Sequence, residues 1–204
     1  MVNNHESVIK AVGVFCGSAT GNQPCFLKAA QHMGQLLAQR KIEVVYGGGN
    51  VGLMGALADA ALHAGGKVTG VITEKLAAVE LAHLGVQEML TVESMDARKT
   101  QIVDLSDAFI AMPGGYGTYD ELFEVLTLCQ LHIIKKPIGL LNTAGYFEPF
   151  RALVANGIQY GFIRPEHNDF FVIDENEEAL LEKLDAHVPP ESLKWLENFN
   201  KEKY

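Results

Sequence analysis

Three short apolar runs in this chain each end in a glycine cluster and then give way to a helical pattern. Residues 8–15 lead into Gly17-Ser18, residues 42–45 into Tyr46-Gly47-Gly48-Gly49, and residues 108–112 into Pro113-Gly114-Gly115. Behind the first cluster, Pro24 stands where a first helical residue would, and Phe26, Ala30, Met33 and Leu37 recur at helical spacing. Behind the second lies a small-residue helix over 53–64, stopped by Gly65-Gly66 in the left-handed manner. Behind the third, a helix over 118–131 puts Leu122, Val125, Leu126 and Cys129 on one face. A strand, a glycine turn and a helix, repeated, make βαβ units. Further strands are expected over 67–72, 87–92, 137–141 and 170–173, and further helices from Ser94 to about Leu105, over 147–156 and over 177–184. Residues 73–85 have weak periodicity and read as a loop or lid.

Strands that are apolar throughout suit a parallel sheet covered on both faces. Right-handed crossovers then give a doubly wound sheet, a Rossmann-like three-layer α/β sandwich. The 204 residues, 48% of them hydrophobic, suffice for one such domain. Residues 186–204, with Trp195 and Phe199, read as a C-terminal helical tail docking on the domain or on a partner. In doubly wound sheets the ligand crevice lies beyond the carboxyl ends of the strands, which is where the glycine clusters fall.

Net charge and cysteine usage narrow the classes of function. A formal charge of −9 argues against nucleic acid or a membrane surface as partner, but not against a small anion held by a local field. Three cysteines, Cys16, Cys25 and Cys129, offer no disulfide framework, and no signal peptide or spanning segment is visible. The expectation is a cytoplasmic protein. The seven histidines show no metal-ligand spacing, so neither a metal nor a cofactor is expected. Cys16 has no His or Asp in a recognisable relation to it and reads as a small buried hydrophobe.

The densest motif is Pro113-Gly114-Gly115-Tyr116-Gly117-Thr118-Tyr119-Asp120-Glu121. Its glycines allow a phosphate close to the backbone, and the helix that follows offers unpaired amides and a positive end. Thr118-x-x-Glu121 is also a capping box, in which both side chains only satisfy helix-start amides. The second cluster contains Gly47-x-Gly49-x-x-Gly52, which matches the dinucleotide fingerprint, with Glu74 near the place of a ribose-binding acid. A compact monophosphate cradle is as natural a reading, and Gly52 and Gly55 read as sites of close packing. Arg98-Lys99 opens a helix at the ligand edge. It is either a solvated surface pair or a grip on phosphate or ribose.

Phe15-Cys16-Gly17-Ser18, Tyr46-Gly47-Gly48-Gly49, Val51-Gly52-Leu53-Met54-Gly55, Met95-x-x-Arg98-Lys99 and Pro113-Gly114-Gly115-x-Gly117-Thr118-x-x-Glu121 occur in that order. Together they resemble the LONELY GUY family, the cytokinin riboside 5′-monophosphate phosphoribohydrolases, long labelled lysine decarboxylases. The resemblance runs from about residue 8 to residue 173. It implies hydrolysis of the N-glycosidic bond of AMP or an N6-modified AMP to free base and ribose 5-phosphate, with Arg98 and Glu121 as the catalytic pair. It also implies a homodimer, with the 118–131 helix near the two-fold axis.

The expected substrate contacts are Gly17, Ser18, Gly48, Gly49, Glu80, Met95, Lys99, Gly114, Gly115, Tyr116, Gly117, Thr118, Tyr119, Asp120 and Thr127. Around Glu80 the chain reads Ala77-Ala78-Val79-Glu80-Leu81 where many relatives carry Pro-Arg, so the base-side wall is expected to differ. Two other classes compete: a nucleotide or cofactor carrier without catalysis, of the molybdenum-cofactor-carrier type, and a nicotinamide-dependent oxidoreductase using Gly47 to Gly52. The decarboxylase label would need a pyridoxal-bearing lysine, and none stands in a convincing setting.

Overall fold

The computed structural model describes residues 9–190 apart from residue 81, with backbone only at 79 and 80. Seven strands form one sheet: β1 (Ala11–Phe15), β2 (Glu43–Tyr46), β3 (Val68–Thr73), β4 (Glu88–Val92), β5 (Ala108–Ala111), β6 (Ile138–Leu141) and β7 (Phe171–Asp174). Their order is β4-β3-β2-β1-β5-β6-β7, and all six neighbouring pairs are parallel. The chain builds outward from β1 to β4 and then returns to place β5 on the other side of β1. The order therefore reverses between β1 and β5, the point at which open α/β sheets hold their ligands.

Alternation along the strands fills two cores. Val12, Val14, Ala108 and Ile110 point to one face, against Met33 and Leu37 of α1 (Pro24–Gln39), Leu57 of α2 (Gly52–His63) and Leu180 of α7 (Glu177–Ala186). Phe15, Phe109 and Ala111 point to the other, against Ile102 of α4 (Met95–Leu105), Leu122 and Val125 of α5 (Tyr116–Gln130) and Phe150 of α6 (Glu148–Gln159). The expected three-layer, doubly wound sandwich is what forms. Among the described residues no helix is long and apolar enough to cross a membrane. The expected C-terminal tail lies mostly outside the described residues: α7 runs to Ala186, and residues 191–204, with Trp195 and Phe199, are not described.

Two local expectations are corrected. Residues 73–85 are not simply a loop, because α3 (Glu74–Glu80) occupies their first half, with the Thr73 hydroxyl accepting from the Leu76 amide at 3.3 Å. Two turns are too short for apolar periodicity to show, although Glu, Lys, Leu and Ala are all good helix formers. The second correction concerns the start of α5. Its N-cap is Gly115, not Thr118, and no side chain caps it. Thr118 is the third helical residue and Glu121 the sixth, so the capping-box reading fails.

Candidate active site

The β1 and β5 loops meet at the switch point. The Gly17 amide donates to the Pro113 carbonyl at 3.1 Å, and the Gly17 carbonyl accepts from the amides of Leu53 and Met54 at 2.9 and 3.4 Å. These last two are the start of α2, so the amides that a pyrophosphate would seek there are already used. Gly52 itself sits at φ +59°, with its missing side chain replaced by the backbone of Ser18. The dinucleotide reading of the second cluster thus has no open helix start to stand on, and the packing reading of Gly52 agrees with this geometry.

The start of α5 is different. Gly115 and Gly117 have no neighbour within 4 Å of where a side chain would project, and Tyr116 is almost wholly exposed. The first helical amide bond across the cap runs from Tyr119 to the Gly115 carbonyl at 3.1 Å. The amides of Tyr116, Gly117 and Thr118 precede it and open on a cleft of about 160 Å³ lined by Gly17, Ser18, Gly47, Met54, Arg98, Gly115, Tyr116, Gly117, Thr118 and Glu121. Three free amides at the positive end of a four-turn helix make an anion site.

Arg98 enters from α4 and is buried, 6% exposed. Its Nε donates to the Val71 carbonyl at 3.0 Å and its Nη2 to the Gly47 carbonyl at 2.8 Å. Gly47 lies just past the end of β2 and Val71 lies within β3, two residues before its end, so two neighbouring strands fix the plane of the guanidinium. The remaining Nη1 lies 4.0 Å from Glu121 Oε1. That distance gives charge attraction without a hydrogen bond and leaves both groups a face toward the cleft. Burial pushes the Glu121 carboxyl up to about 7, and Arg98 is the main group opposing the rise. A carboxyl that titrates near neutrality can hold either charge state during a reaction. Burial and the nearby Glu121 charge raise the Cys16 thiol, which keeps it neutral and agrees with its reading as a hydrophobe.

The other candidates lie around this cleft rather than on it. Gly114 belongs to an adjoining apolar hollow with Gly17, Ser18, Phe26 and Tyr146. Gly48 gives its carbonyl to the His83 amide at 3.0 Å, and Gly49 pairs with Ala82. Tyr119 hydrogen-bonds Tyr146 hydroxyl to hydroxyl at 2.6 Å, and Tyr146 also donates to the Gly114 carbonyl, bracing the glycine loop from behind. Lys99 turns to Asp120 and Glu124. The Thr127 hydroxyl donates to its own helix at Phe123, 2.7 Å away. Met95 is partly exposed at the first turn of α4, and the side chain of Glu80 lies outside the described residues. Sequence reading passed over the carbonyls of Gly47 and Val71 as ligands of Arg98. The signal available for Gly47 was a glycine directly after a strand.

The protein-family model described as "Possible lysine decarboxylase" matches residues 54–184. Cytokinin riboside 5′-monophosphate phosphoribohydrolase LOG1 of Arabidopsis thaliana is 42% identical over 184 residues, 90% of this chain and 86% of that protein. LOG5 of the same plant is 41% identical over 184 residues, 90% of this chain and 81% of that protein. Among solved structures, the molybdenum cofactor binding protein of Rippkaea orientalis is similar at 26% identity and a TM-score of 0.65, covering 86% of this chain and 95% of that one. Closer identity over nine-tenths of the chain lies with the hydrolases. The chain belongs to the LONELY GUY family, the cytokinin riboside 5′-monophosphate phosphoribohydrolases covered by the lysine-decarboxylase family model.

Proposed function

We propose that this protein hydrolyses the N-glycosidic bond of an adenine-type nucleoside 5′-monophosphate, releasing free base and ribose 5-phosphate. The observation that carries this reading is the buried Arg98–Glu121 pair facing the free amides of α5 across one cleft. The names of the relatives supply the substrate class.

In this reading the phosphate sits on the amides of Tyr116, Gly117 and Thr118. Glu121 lies three residues beyond Thr118, about 4.5 Å along the axis, and so serves a sugar anchored by its phosphate. Water oxygen bonds to the anomeric carbon while the carbon–nitrogen bond breaks, its electron pair leaving on the base. A proton of the water passes to Glu121, and the base takes one from solvent. The Glu121 carboxylate also stabilises positive charge developing on the sugar, and Arg98 holds that carboxylate ionised for part of the cycle.

The test is release of free base from AMP and from adenosine. Turnover of AMP with a kcat/KM at least about a hundredfold above that of adenosine is expected, because the phosphate supplies the anchoring. Equal values would remove the phosphate site, and binding of AMP without release of base would favour a carrier.

The assembly belongs to the same proposal. Phe123 and Leu153 are about half exposed beside Tyr116, around an apolar hollow that Tyr119, Tyr146 and Phe150 also line. An apolar surface of this kind, spanning α5 and α6, suits a second copy of the chain across a two-fold axis.

A further inference from the structure

Arg98-Lys99 reads as two adjacent cations at the mouth of a nucleotide site, but the structure sends the second one elsewhere. Lys99 is 14% exposed, and its Nζ lies 3.2 Å from Asp120 Oδ2 and 3.1 Å from Glu124 Oε2. Asp120 and Glu124 stand four residues apart on α5, on either side of Glu121, and so present two carboxylates to one point on α4. The ammonium is shared between them and is absent from the lining of the cleft. Burial alone would pull the Lys99 ammonium down, yet the bonds to Glu124 and Asp120 hold it above its ordinary value, so it remains charged.

We propose that Lys99 is a positioning residue, clamping α4 to α5 through Asp120 and Glu124 and setting the charge balance around Glu121, rather than a ligand of the substrate. The clamp has two physical consequences. It fixes the separation of the helices that carry Arg98 and Glu121, which meet at 4.0 Å one residue away on each. It also offsets one of the two negative charges on Asp120 and Glu124, both of which oppose ionisation of Glu121. The charged and titratable groups around Glu121 are Asp120 and Glu124 on its own helix, Arg98 and Lys99 from α4, and the Cys16 thiol from the end of β1. Tyr116 at the start of α5 is a further titratable group on the cleft wall, and Met54 of α2 carries no charge. Removing Lys99 leaves two uncompensated negative charges, so Glu121 should hold its proton to higher pH. Removing Glu124 should do the reverse.

The role assigned to Lys99 builds on the hydrolase reading, but its test does not need turnover. The Glu121 carboxyl is followed by carbon-13 NMR through a pH titration in the wild type and in Lys99→Met, Lys99→Arg and Glu124→Gln, with AMP affinity measured by calorimetry above the midpoint. The midpoint is expected to rise by about one pH unit in Lys99→Met, fall in Glu124→Gln and return toward the wild type in Lys99→Arg. AMP affinity above the midpoint should stay within about threefold throughout. If the hydrolase reading holds, the acidic limb of kcat/KM moves with the midpoint. Midpoints that stay fixed, with AMP binding at least about tenfold weaker in Lys99→Met and unchanged in Glu124→Gln, would make Lys99 a substrate ligand and overturn the proposal. Failure of the hydrolase reading shows separately, as a wild type that binds AMP and releases no base while the midpoints still move.

Discussion

Replacing Glu121 by Gln tests whether this carboxylate is kept in a place that costs the fold stability. The ordinary value for the group is 4.5, and burial raises it to about 7 in the folded protein. Between those values the folded state keeps a proton that the unfolded state has released. Stability therefore falls as pH rises through this window, and above pH 7 the ionised carboxylate is held at a penalty. Integrating the difference gives about 3 kcal/mol. Glutamine has nearly the same shape and never ionises, so the variant escapes the penalty while other pH effects act on both proteins alike. The advantage of Gln over Glu should be small near pH 5 and reach its plateau above pH 7. For a domain of this size that corresponds to a Tm gap widening by roughly 6–12 °C.

Thermal unfolding of both proteins at pH 5 and pH 8 measures the gap, and base release from AMP measures the cost to catalysis. The expected variant is more stable at pH 8, binds AMP and has a kcat lower by at least about a hundredfold. A Tm gap equal at the two pH values would refute the burial argument, since only an ionising group makes it widen. Near-normal turnover would refute the catalytic role independently, because a glutamine cannot carry negative charge. A stabilised, inactive protein would place Glu121 among residues whose strain serves function.

Other outcomes follow from the same structure. His167 is buried with neither ring nitrogen partnered and is stacked on Phe170, and burial lowers its proton affinity. The unfolded chain takes up its proton first as pH falls below about 6.5, so the native state loses stability there. His167→Phe should raise stability by about 1 kcal/mol at pH 7.5 and by more at pH 5.5, as read by chemical denaturation, and an unchanged difference would refute it. Phe123→Glu puts a charge on the exposed apolar face of α5. It should convert a dimer into a monomer in light scattering without loss of helix signal, and a dimer that survives must use another face.

Sequence patterning was informative where backbone geometry demands particular residues and silent where contacts are tertiary. Strand ends and glycine turns were visible because parallel strands need apolar runs and tight turns need glycine. The start of α5 was misplaced because Thr118-x-x-Glu121 has the composition of a capping box, yet a helix can begin on a bare glycine when its amides face an open cleft. The clamp on Lys99 joins residue 99 to residues 120 and 124, a pairing that no local pattern states. The four-residue spacing of Asp120 and Glu124 was the only trace of it, and it showed that two carboxylates share a face of α5.

Gly47 shows why a correct motif can still carry the wrong role. A Cβ there would fall within the guanidinium of Arg98, so any larger residue would push the arginine off the Gly47 carbonyl. A buried guanidinium without acceptors is costly, and its displacement would also leave Glu121 without the main charge that opposes its protonation. The glycine that resembles part of a phosphate fingerprint thus admits a cation rather than an anion. The second glycine cluster shapes the site by seating Arg98, and the third opens it by baring the amides of α5. Two loops of similar composition therefore do opposite electrostatic work. Only the positions of their helix starts, one closed by the Gly17 carbonyl and one open to the cleft, tell them apart.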